Sequence, residues 1–213
     1  MNNFLNCSMI NSNNHQSMLR RFVTKQTILK EFVDTLPISE AAREDLVQFW
    51  NHKQSFKRGE FLALSGRIEP YLYLVLKGTF KIYYDLENSE AVVGFGYPPN
   101  LLLDYYSFIK EKPSPYYIQV LGEAEIIGIH FTDFKRLKDK HPTLEKLWHK
   151  LTEEALLGRI EREIDLITPS PKGRYDRLMR RSPHIFQLIP HKYIASYLRM
   201  TPETLSRMRK LSS

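Results

Sequence analysis

The chain has 213 residues, of which 42% are hydrophobic, and it carries a formal net charge of +7. This length suits one large domain or two modest ones, and no apolar run of about 18 residues predicts a transmembrane helix. Cys7 is the single cysteine, which excludes an internal disulfide, a cysteine-rich zinc site and a cysteine-ligated iron–sulfur cluster. A secretory signal pattern is also absent, so we expect a cytoplasmic protein without a membrane partner.

The N-terminal part of the sequence changes from a polar leader to amphipathic helices. Residues 1–24 are rich in Asn and Ser and have few apolar anchors, which predicts a flexible leader. Apolar residues then recur at helical spacing over about 22–35 and again over about 40–51. Two short helices are therefore expected ahead of the next pattern.

From residue 54 to about residue 131 the apolar pattern has a period of two, with glycines such as Gly78 at the turns. Many short strands separated by regular turns predict a β-barrel or jelly-roll sandwich. Residues 101–109 are compatible with a short helix inside this region, and residues 132–138 predict another. We assign residues 25–141 to one β domain.

Aromatic side chains are concentrated in the middle of this domain. They could line an apolar ligand cavity or simply pack in the core, and packing is the more common outcome for such residues. The five are Tyr105, Tyr106, Phe108, Tyr116 and Tyr117.

Residues 142–168 show the longest helical pattern, with apolar residues every three or four positions, as in the seam of a coiled coil. Two interpretations are open: a helix packed on its own β domain, or a helix that pairs with a second copy. We favour the helix that pairs with a second copy, because a homodimer with two-fold symmetry doubles the number of contacts that a small binding domain can make. The predicted seam consists of Leu144, Leu147, Leu151, Leu157, Ile160, Ile164 and Ile167.

The last 45 residues, 169–213, begin with two prolines that end the long helix and form a hinge. Residues 191–198 and 202–210 each carry apolar residues on one helical face. Thr201 can cap the second of these helices, and Pro202 suits its first position. Arg199 and Met200 must therefore turn the chain. This pattern predicts a helix-turn-helix, whose second helix enters the major groove of DNA.

The polar face of the second helix has side chains suited to double-stranded DNA. Arginine can bond guanine in a bidentate manner, glutamate can accept from the cytosine amino group, and Thr and Ser can bond phosphates or base edges. An ordinary amphipathic helix pair with a solvated face is the alternative. The candidate DNA-binding residues are Thr201, Pro202, Glu203, Thr204, Ser206, Arg207, Arg209 and Lys210, with Lys192 and Arg199 preceding them.

The positive charge of the chain is concentrated in this segment. Residues 169–213 contain ten Lys and Arg against two acidic residues, a net charge of +8, so the rest of the chain carries −1. A basic module on a nearly neutral body is the pattern expected for phosphate contact. A membrane-surface helix would in addition need exposed Trp, Phe or Leu, which this segment does not offer.

Together, the β-rich domain, long helix, proline hinge and C-terminal helix-turn-helix resemble the CRP/FNR transcription regulators. The resemblance implies an α+β fold with a cyclic-nucleotide-binding-like barrel (25–141), a dimerisation helix (142–168) and a winged helix-turn-helix (169–213). It also implies RNA polymerase as a partner, and it leaves two alternatives for the pocket, an unknown small-molecule effector or no ligand. Glu203 and Arg207 resemble the base-reading pair of the family, and Thr204 its phosphate contact. Pro202 stands where some relatives have arginine, and Arg199 stands where the turn usually has glycine, so Arg199 must adopt a left-handed conformation or a variant turn.

The effector region departs from this family pattern. Relatives that bind cyclic AMP carry Gly-Glu followed by Arg-Ser around the phosphate. Here residues 99–104 lack Gly-Glu and residues 112–117 lack arginine. Lys110 and Lys112 supply charge but not a guanidinium fork. We therefore expect no tight binding of cyclic AMP, and we expect no cofactor or metal site, since the seven histidines lack ligand spacing.

The sequence as a whole favours a sequence-specific DNA-binding transcription regulator that acts as a homodimer and is not an enzyme. The main alternative is a ligand-binding sensor barrel without DNA recognition, but such a protein would not need a charge of +8 in its last 45 residues. A cupin-like enzyme would need clustered histidine and carboxylate ligands on strands. Only His130 lies on a predicted strand.

Overall fold

The computed structural model describes residues 24–87 and 89–211. The flexible leader predicted for residues 1–24 thus lies outside the described residues, except for Thr24. Thr24 is the N-cap of α1 (Lys25–Asp34), and its hydroxyl accepts a hydrogen bond from the Thr27 N–H. A second helix, α2 (Glu40–Phe49), follows, so both helices predicted before the β domain are confirmed.

Two four-stranded antiparallel sheets form the β domain, which confirms the predicted sandwich. The order is β1-β8-β3-β6 in the first sheet and β2-β7-β4-β5 in the second. The strands are β1 (His52–Phe56), β2 (Phe61–Ala63), β3 (Tyr71–Lys77), β4 (Phe80–Leu86), β5 (Ser89–Gly96), β6 (Leu101–Leu103), β7 (Tyr117–Val120) and β8 (Ala124–His130).

The chain turns at Gly78, as predicted, and this turn connects β3 of the first sheet to β4 of the second, which are not paired with each other. Gly78 has a φ of +86°, and a Cβ atom at this position would lie 2.3 Å from the Glu123 carbonyl oxygen. Only glycine meets both conditions without strain. The turn therefore fixes how these two strands, one from each sheet, face each other.

Between β6 and β7 lies a short helix, α3 (Tyr105–Lys110), and after β8 comes α4 (Phe131–Lys140). The helix expected over 101–109 begins later, because Leu101–Leu103 pair with β3 as a strand. A run of consecutive apolar residues fits a strand that is buried on both faces of a sheet, and it fits a buried helix equally well. The periodicity of the sequence alone does not distinguish these two structures.

Helix α5 (Pro142–Ile167) is continuous over 26 residues and confirms the predicted long helix. Its first half is not a dimer seam, however. Leu144, Leu147 and Leu151 are at most 6% exposed and pack into the core formed by α1, α2, α4 and the first sheet. These three residues are already buried by their own chain, so the predicted interface is wrong for them.

The C-terminal module consists of α6 (Pro171–Arg181), α7 (Ile185–Leu188), α8 (His191–Tyr197) and α9 (Pro202–Lys210). The wing expected from the family resemblance is absent from the described residues after β8. Nine residues separate α6 from α8, and Pro183 and Pro190 among them restrict the backbone and cannot donate to a strand ladder. The segment instead forms the single turn of α7.

The C-terminal module packs against the second sheet. Tyr83, Val92 and Phe95 of the sheet, with Tyr97 just after β5, share one buried apolar cluster with residues from α6, α7, α8 and α9. Tyr97 and His184 also contact through their hydroxyl and Nε2 atoms at 2.6 Å. The module is thus held by the β domain as well as by its covalent link to α5.

Candidate functional site

The turn between α8 and α9 has the geometry of a Schellman motif. The Met200 N–H donates to the Ala195 carbonyl at 3.0 Å, and the Arg199 N–H donates to the Ser196 carbonyl at 3.1 Å. Arg199 adopts a φ of +53°, the left-handed conformation expected at this position. The chain thus makes the sharp turn without glycine.

Helix α9 begins at an N-cap of the expected type. The Thr201 hydroxyl accepts a hydrogen bond from the Thr204 N–H at 3.2 Å, and Pro202 occupies the first helical position. Leu205 and Met208 are buried against α6 and α8, at 0% and 7% exposure. This packing decides which face of α9 remains outside.

The outer face of α9 is polar and exposed, and one open groove runs along it. Glu203 is part of this face, and hydrogen bonds from its own backbone N–H and from Thr201 hold the pKa of its carboxyl below the ordinary value. It is therefore ionised at neutral pH and can accept hydrogen bonds. The exposed candidate residues are Thr201, Pro202, Glu203, Ser206, Arg207, Arg209 and Lys210, whereas Thr204 is partly buried.

The two earlier candidates lie on the same module. Lys192 is exposed near the start of α8, with its Nζ atom 4.8 Å from the centre of the Tyr193 ring. Arg199 is exposed in the turn before α9. A hydrogen bond between Arg209 and His191 at 3.0 Å links the end of α9 to the start of α8. The ten predicted residues therefore belong to one helix pair.

Part of the positive charge in the module faces the long helix rather than solvent. Arg177 and Arg181 of α6 both form ion pairs with Asp165 of α5, and Arg177 also pairs with Glu161. These ion pairs raise the pKa of Arg177 further. The count of cations in the sequence could not reveal this pairing, since the partners come from different elements.

A set of polar contacts ties α8 to β5. The Ser196 hydroxyl donates to the Glu90 carbonyl at 2.9 Å and accepts from the Val92 N–H at 3.2 Å. Arg162 of α5 donates to the carbonyls of Val92 and Tyr197 at 3.0 and 3.4 Å. We call these contacts the docking contacts. Sequence reasoning missed them, because Ser196 and Glu90 are 106 positions apart.

Beside Ser196, the same region of contact contains a buried lysine. Lys81 of β4 is 2% exposed and forms an ion pair with Glu90. Its Nζ atom also lies 4.2 Å from the centre of the Tyr83 ring and 4.8 Å from that of Tyr193. The lysine thus contacts both the sheet and α8, with its charge satisfied by a carboxylate and two aromatic faces.

A second site lies between the β-sandwich and α5, where a cavity of about 340 Å³ opens. Tyr105, Tyr106 and Tyr116 lie on its wall, together with Leu156 and Arg159 from α5. Arg159 was not expected here, because it is remote in sequence from the segments that were compared with the cyclic AMP site. The prediction that a guanidinium would be missing from this region is therefore corrected.

Two of the five predicted pocket aromatics lie elsewhere. Phe108 packs in the core against Phe134 and Trp148, with ring centres 6.0 Å apart in both cases. Tyr117 stacks on Tyr83 at 5.2 Å, because successive side chains of β7 point to opposite faces. Neither residue lines the cavity.

Asp104 is the acidic residue of the cavity wall, and it is 2% exposed. Its Oδ1 atom caps α3 by accepting from the Ser107 N–H at 3.0 Å. Burial raises the pKa of the carboxyl, against the lowering effect of its contacts with Ser107 and Ser114. The Tyr106 backbone N–H also donates to this carboxyl, and the Oδ2 atom is buried away from solvent.

Comparison with known proteins agrees with this architecture. A family model for the cyclic nucleotide-binding domain matches residues 53–141, so the β domain is of this class. FixK2 from Bradyrhizobium japonicum is similar in structure, with 16% identity and a TM-score of 0.64, over 75% of this chain and 82% of that one. The chain has the fold of the CRP/FNR regulators, to which the structural neighbours belong.

Two further regulators have similar structures. The c-di-GMP-responsive global regulator CLP of Xanthomonas campestris gives a TM-score of 0.62 at 15% identity, over 82% of this chain and 92% of that one. The catabolite activator protein of Thermus thermophilus gives 0.52 at 17% identity, over 82% and 84%. The search of curated proteins found no match. At these identities the comparison establishes the fold alone.

Proposed function

We propose that this chain is a sequence-specific DNA-binding transcription regulator that acts as a homodimer. The observation that carries the proposal is the outer face of α9, where Glu203 and Arg207 are exposed while Leu205 and Met208 hold the helix from the other side. The N-cap at Thr201 and the left-handed turn at Arg199 fix the direction of this helix. A rigid helix with an outward polar face suits the major groove.

Charge supports the same interpretation. Arg207, Arg209 and Lys210 lie in the last turns of α9, and Lys192 and Arg199 are exposed close by in sequence. Arginine and lysine near the groove neutralise phosphates and release counterions, so affinity for DNA should fall steeply with salt. A sensor protein that no longer binds DNA would show no such salt dependence.

The homodimer is supported by the second half of α5. Leu157, Ile160, Ile164 and Ile167 are between 38% and 73% exposed, and Leu156 beside them is 61% exposed. Large apolar residues at this spacing form a stripe that water solvates poorly, and a second copy of the same helix would cover it. Two copies would present two α9 helices to half-sites about one helical turn of DNA apart.

A signal at the β domain could reach DNA through α5. Arg159 lies on the cavity wall, and Arg162, about one helical turn further on, takes part in the docking contacts with β5 and α8. An effector that displaces α5 would therefore also disturb the position of α9. Cyclic AMP is not the effector we propose, because residues 99–104 lack Gly-Glu and residues 112–117 lack arginine.

The assignment of α9 is tested with Arg207→Ala. We expect a loss of about 1–3 kcal/mol in binding to the selected DNA site, together with relaxed preference at one base pair, since a bidentate contact to a base is removed. Electrophoretic mobility shifts on the selected site and on single-base variants measure both effects.

The matched control is Arg58→Ala, which removes an exposed arginine from the β domain. It should bind the selected site as the parent protein does. If Arg207→Ala discriminated between selected and scrambled DNA as well as the parent does, α9 would not be the reading helix.

A further inference from the structure

One exposed cation of α9 lies beside the groove that runs along the outer face of this helix. Arg209 comes four positions after Leu205 and directly after Met208, both of which are buried, so it lies on the flank of α9 and not at the centre of the outer face. The groove itself is lined by Pro202, Glu203, Ser206, Arg207 and Lys210. Arg209 thus occupies a different side of the helix from the candidates for base reading.

A partner of Arg209 on this flank is His191, at the start of α8. A guanidinium N–H of Arg209 donates to His191 Nδ1 at 3.0 Å, and both side chains are exposed. Because a guanidinium has no acceptor, the Nδ1 atom must carry a lone pair in this contact, and the ring hydrogen is on Nε2. In this form His191 brings no second positive charge to the side of Arg209.

The flank that carries Arg209 is suited to the DNA backbone. When a helix lies in the major groove, the centre of its outer face meets the base edges, and its flanks meet the phosphate groups of the two strands. The first helix of the pair crosses the backbone, and His191 and Lys192 are exposed at the start of that helix, α8. Arg209 therefore faces the strand that α8 approaches.

The bond to His191 also limits the conformations of a long side chain. An exposed arginine loses much of its rotamer freedom when a partner immobilises it. The contact with Nδ1 restricts Arg209 before DNA arrives, so less freedom is lost when the guanidinium meets a phosphate. Such preorganisation increases affinity without adding a contact to DNA.

We propose that His191 is a positioning residue for DNA binding, and that its Nδ1 atom holds the Arg209 guanidinium toward one phosphate group of the duplex. The phosphate contact belongs to Arg209, and His191 acts through it. This role of His191 rests on the proposed function, because it requires that α9 lies in the major groove.

Four variants separate positioning from direct contact with DNA. His191→Asn keeps an acceptor, since the amide oxygen of asparagine lies close to the place of Nδ1. His191→Gln carries its amide past that place and so removes the acceptor beside Arg209. Arg209→Ala removes the phosphate contact, and the double variant His191→Gln, Arg209→Ala measures the coupling between the two positions. The matched control, His149→Gln, replaces an exposed histidine of α5.

Fluorescence anisotropy with a duplex that contains the selected site measures the affinity of each full-length variant. We expect His191→Gln to weaken binding about three- to tenfold. The loss should be equal for the selected site and for its single-base variants, because phosphate contacts carry no sequence information. His191→Asn and His149→Gln should bind as the parent does.

The Arg209 background gives the sharper test. Arg209→Ala should lower the slope of log affinity against log salt by about one, and the addition of His191→Gln should cause no further loss. Thermal unfolding should give the Tm of the parent for every variant, since the replaced side chains are exposed. A role in stability alone would lower Tm and leave the affinity unchanged.

The proposal is overturned if His191→Gln binds as tightly as the parent, or if it weakens binding as much in the Arg209→Ala background as in the parent. Equal losses in His191→Asn and His191→Gln would also overturn it, since they would assign the effect to Nε2. If His191→Gln binds like the parent while Arg207→Ala still loses base preference, the role of His191 fails and the proposed function stands. A parent protein that selects no DNA sequence would contradict both.

Discussion

Glu69 and Asp104 are acidic side chains that lie near each other and largely away from solvent. Burial raises the pKa of Glu69 to about 7, from an ordinary value of 4.5, and the nearby Asp104 adds to the shift. The hydrogen bond from the Tyr73 hydroxyl, at 2.9 Å, acts in the opposite direction. An acid with a raised pKa binds its proton more tightly in the folded state. Its contribution to stability is thus complete below about pH 4.5 and is lost as the pH rises through 7.

Glu69→Gln should therefore stabilise the protein at high pH. The neutral amide can still accept the hydrogen bond from Tyr73, and it carries no charge to bury. We expect the free energy of unfolding to increase by about 1–2 kcal/mol at pH 8 and to change little at pH 5, after allowance for partial solvent exposure. Urea unfolding at the two pH values measures the difference.

Glu44→Gln is the control, because Glu44 is exposed on α2 and its replacement reports the effect of removing a surface charge. An equal effect of Glu69→Gln at pH 5 and pH 8 would contradict the raised pKa of Glu69 in the folded protein.

Single residues of the helix pair were predictable from sequence where the chemistry is local. The cap at Thr201 was predicted and is confirmed. Arg199 adopts the left-handed conformation, which was one of the two alternatives that the sequence left open. Arg159 and Ser196 could not be assigned in this way. Their partners, Val93 and Glu90, lie on β5, and no local pattern joins the two regions.

At the scale of elements, α5 combines two different surfaces in one helix. Its first half, with Leu144 and Leu151, belongs to the core of its own β domain, whereas Leu157 and Ile164 further along are exposed. The periodicity of the sequence predicted the helix correctly from end to end. It could not tell what each apolar stretch would meet, since a core and a second copy require the same residues.

The exposed half of α5 gives a direct test of the homodimer. Ile160→Glu places a charge in the middle of the apolar stripe, and burying an unpaired charge costs about 3–5 kcal/mol. We expect the parent to sediment as a dimer and the variant as a monomer, with association weakened by roughly two orders of magnitude or more. Analytical ultracentrifugation over a range of concentrations measures this shift.

Ile68→Glu serves as the matched control, because Ile68 is 48% exposed and lies outside α5. It should remain dimeric. A monomeric parent protein, or a dimer in Ile160→Glu with the constant of the parent, would exclude α5 as the interface.

The other elements show where sequence patterns were sufficient. The alternating strands and the Gly78 turn were predicted and are confirmed, because strand period and turn chemistry are local properties. Among the described residues no wing is formed, and α3 begins later than predicted. The sequence pattern did not show that Leu101–Leu103 gain β3 as a partner strand, and the two prolines in residues 182–190 favour the turn of α7 over a hairpin.

At the scale of the whole molecule, the β domain, α5 and the C-terminal module form one connected structure. The docking contacts join β5 to α8, and the ion pairs of Asp165 join α5 to α6. None of the described helices has the length and apolar character that a membrane span requires. The connection means that the position of α9 depends on α5 and on the sheet, which is the arrangement that an effector in the cavity would need.

Selection of bound sequences from random double-stranded DNA tests the central claim most directly. The parent protein should enrich a two-fold symmetric sequence whose half-sites are centred about 10 base pairs apart, because two α9 helices would read successive major grooves. The double variant Glu203→Ala, Arg207→Ala should enrich no such sequence. If the parent enriched no sequence, or if the double variant enriched the same one, this chain would not read DNA through α9.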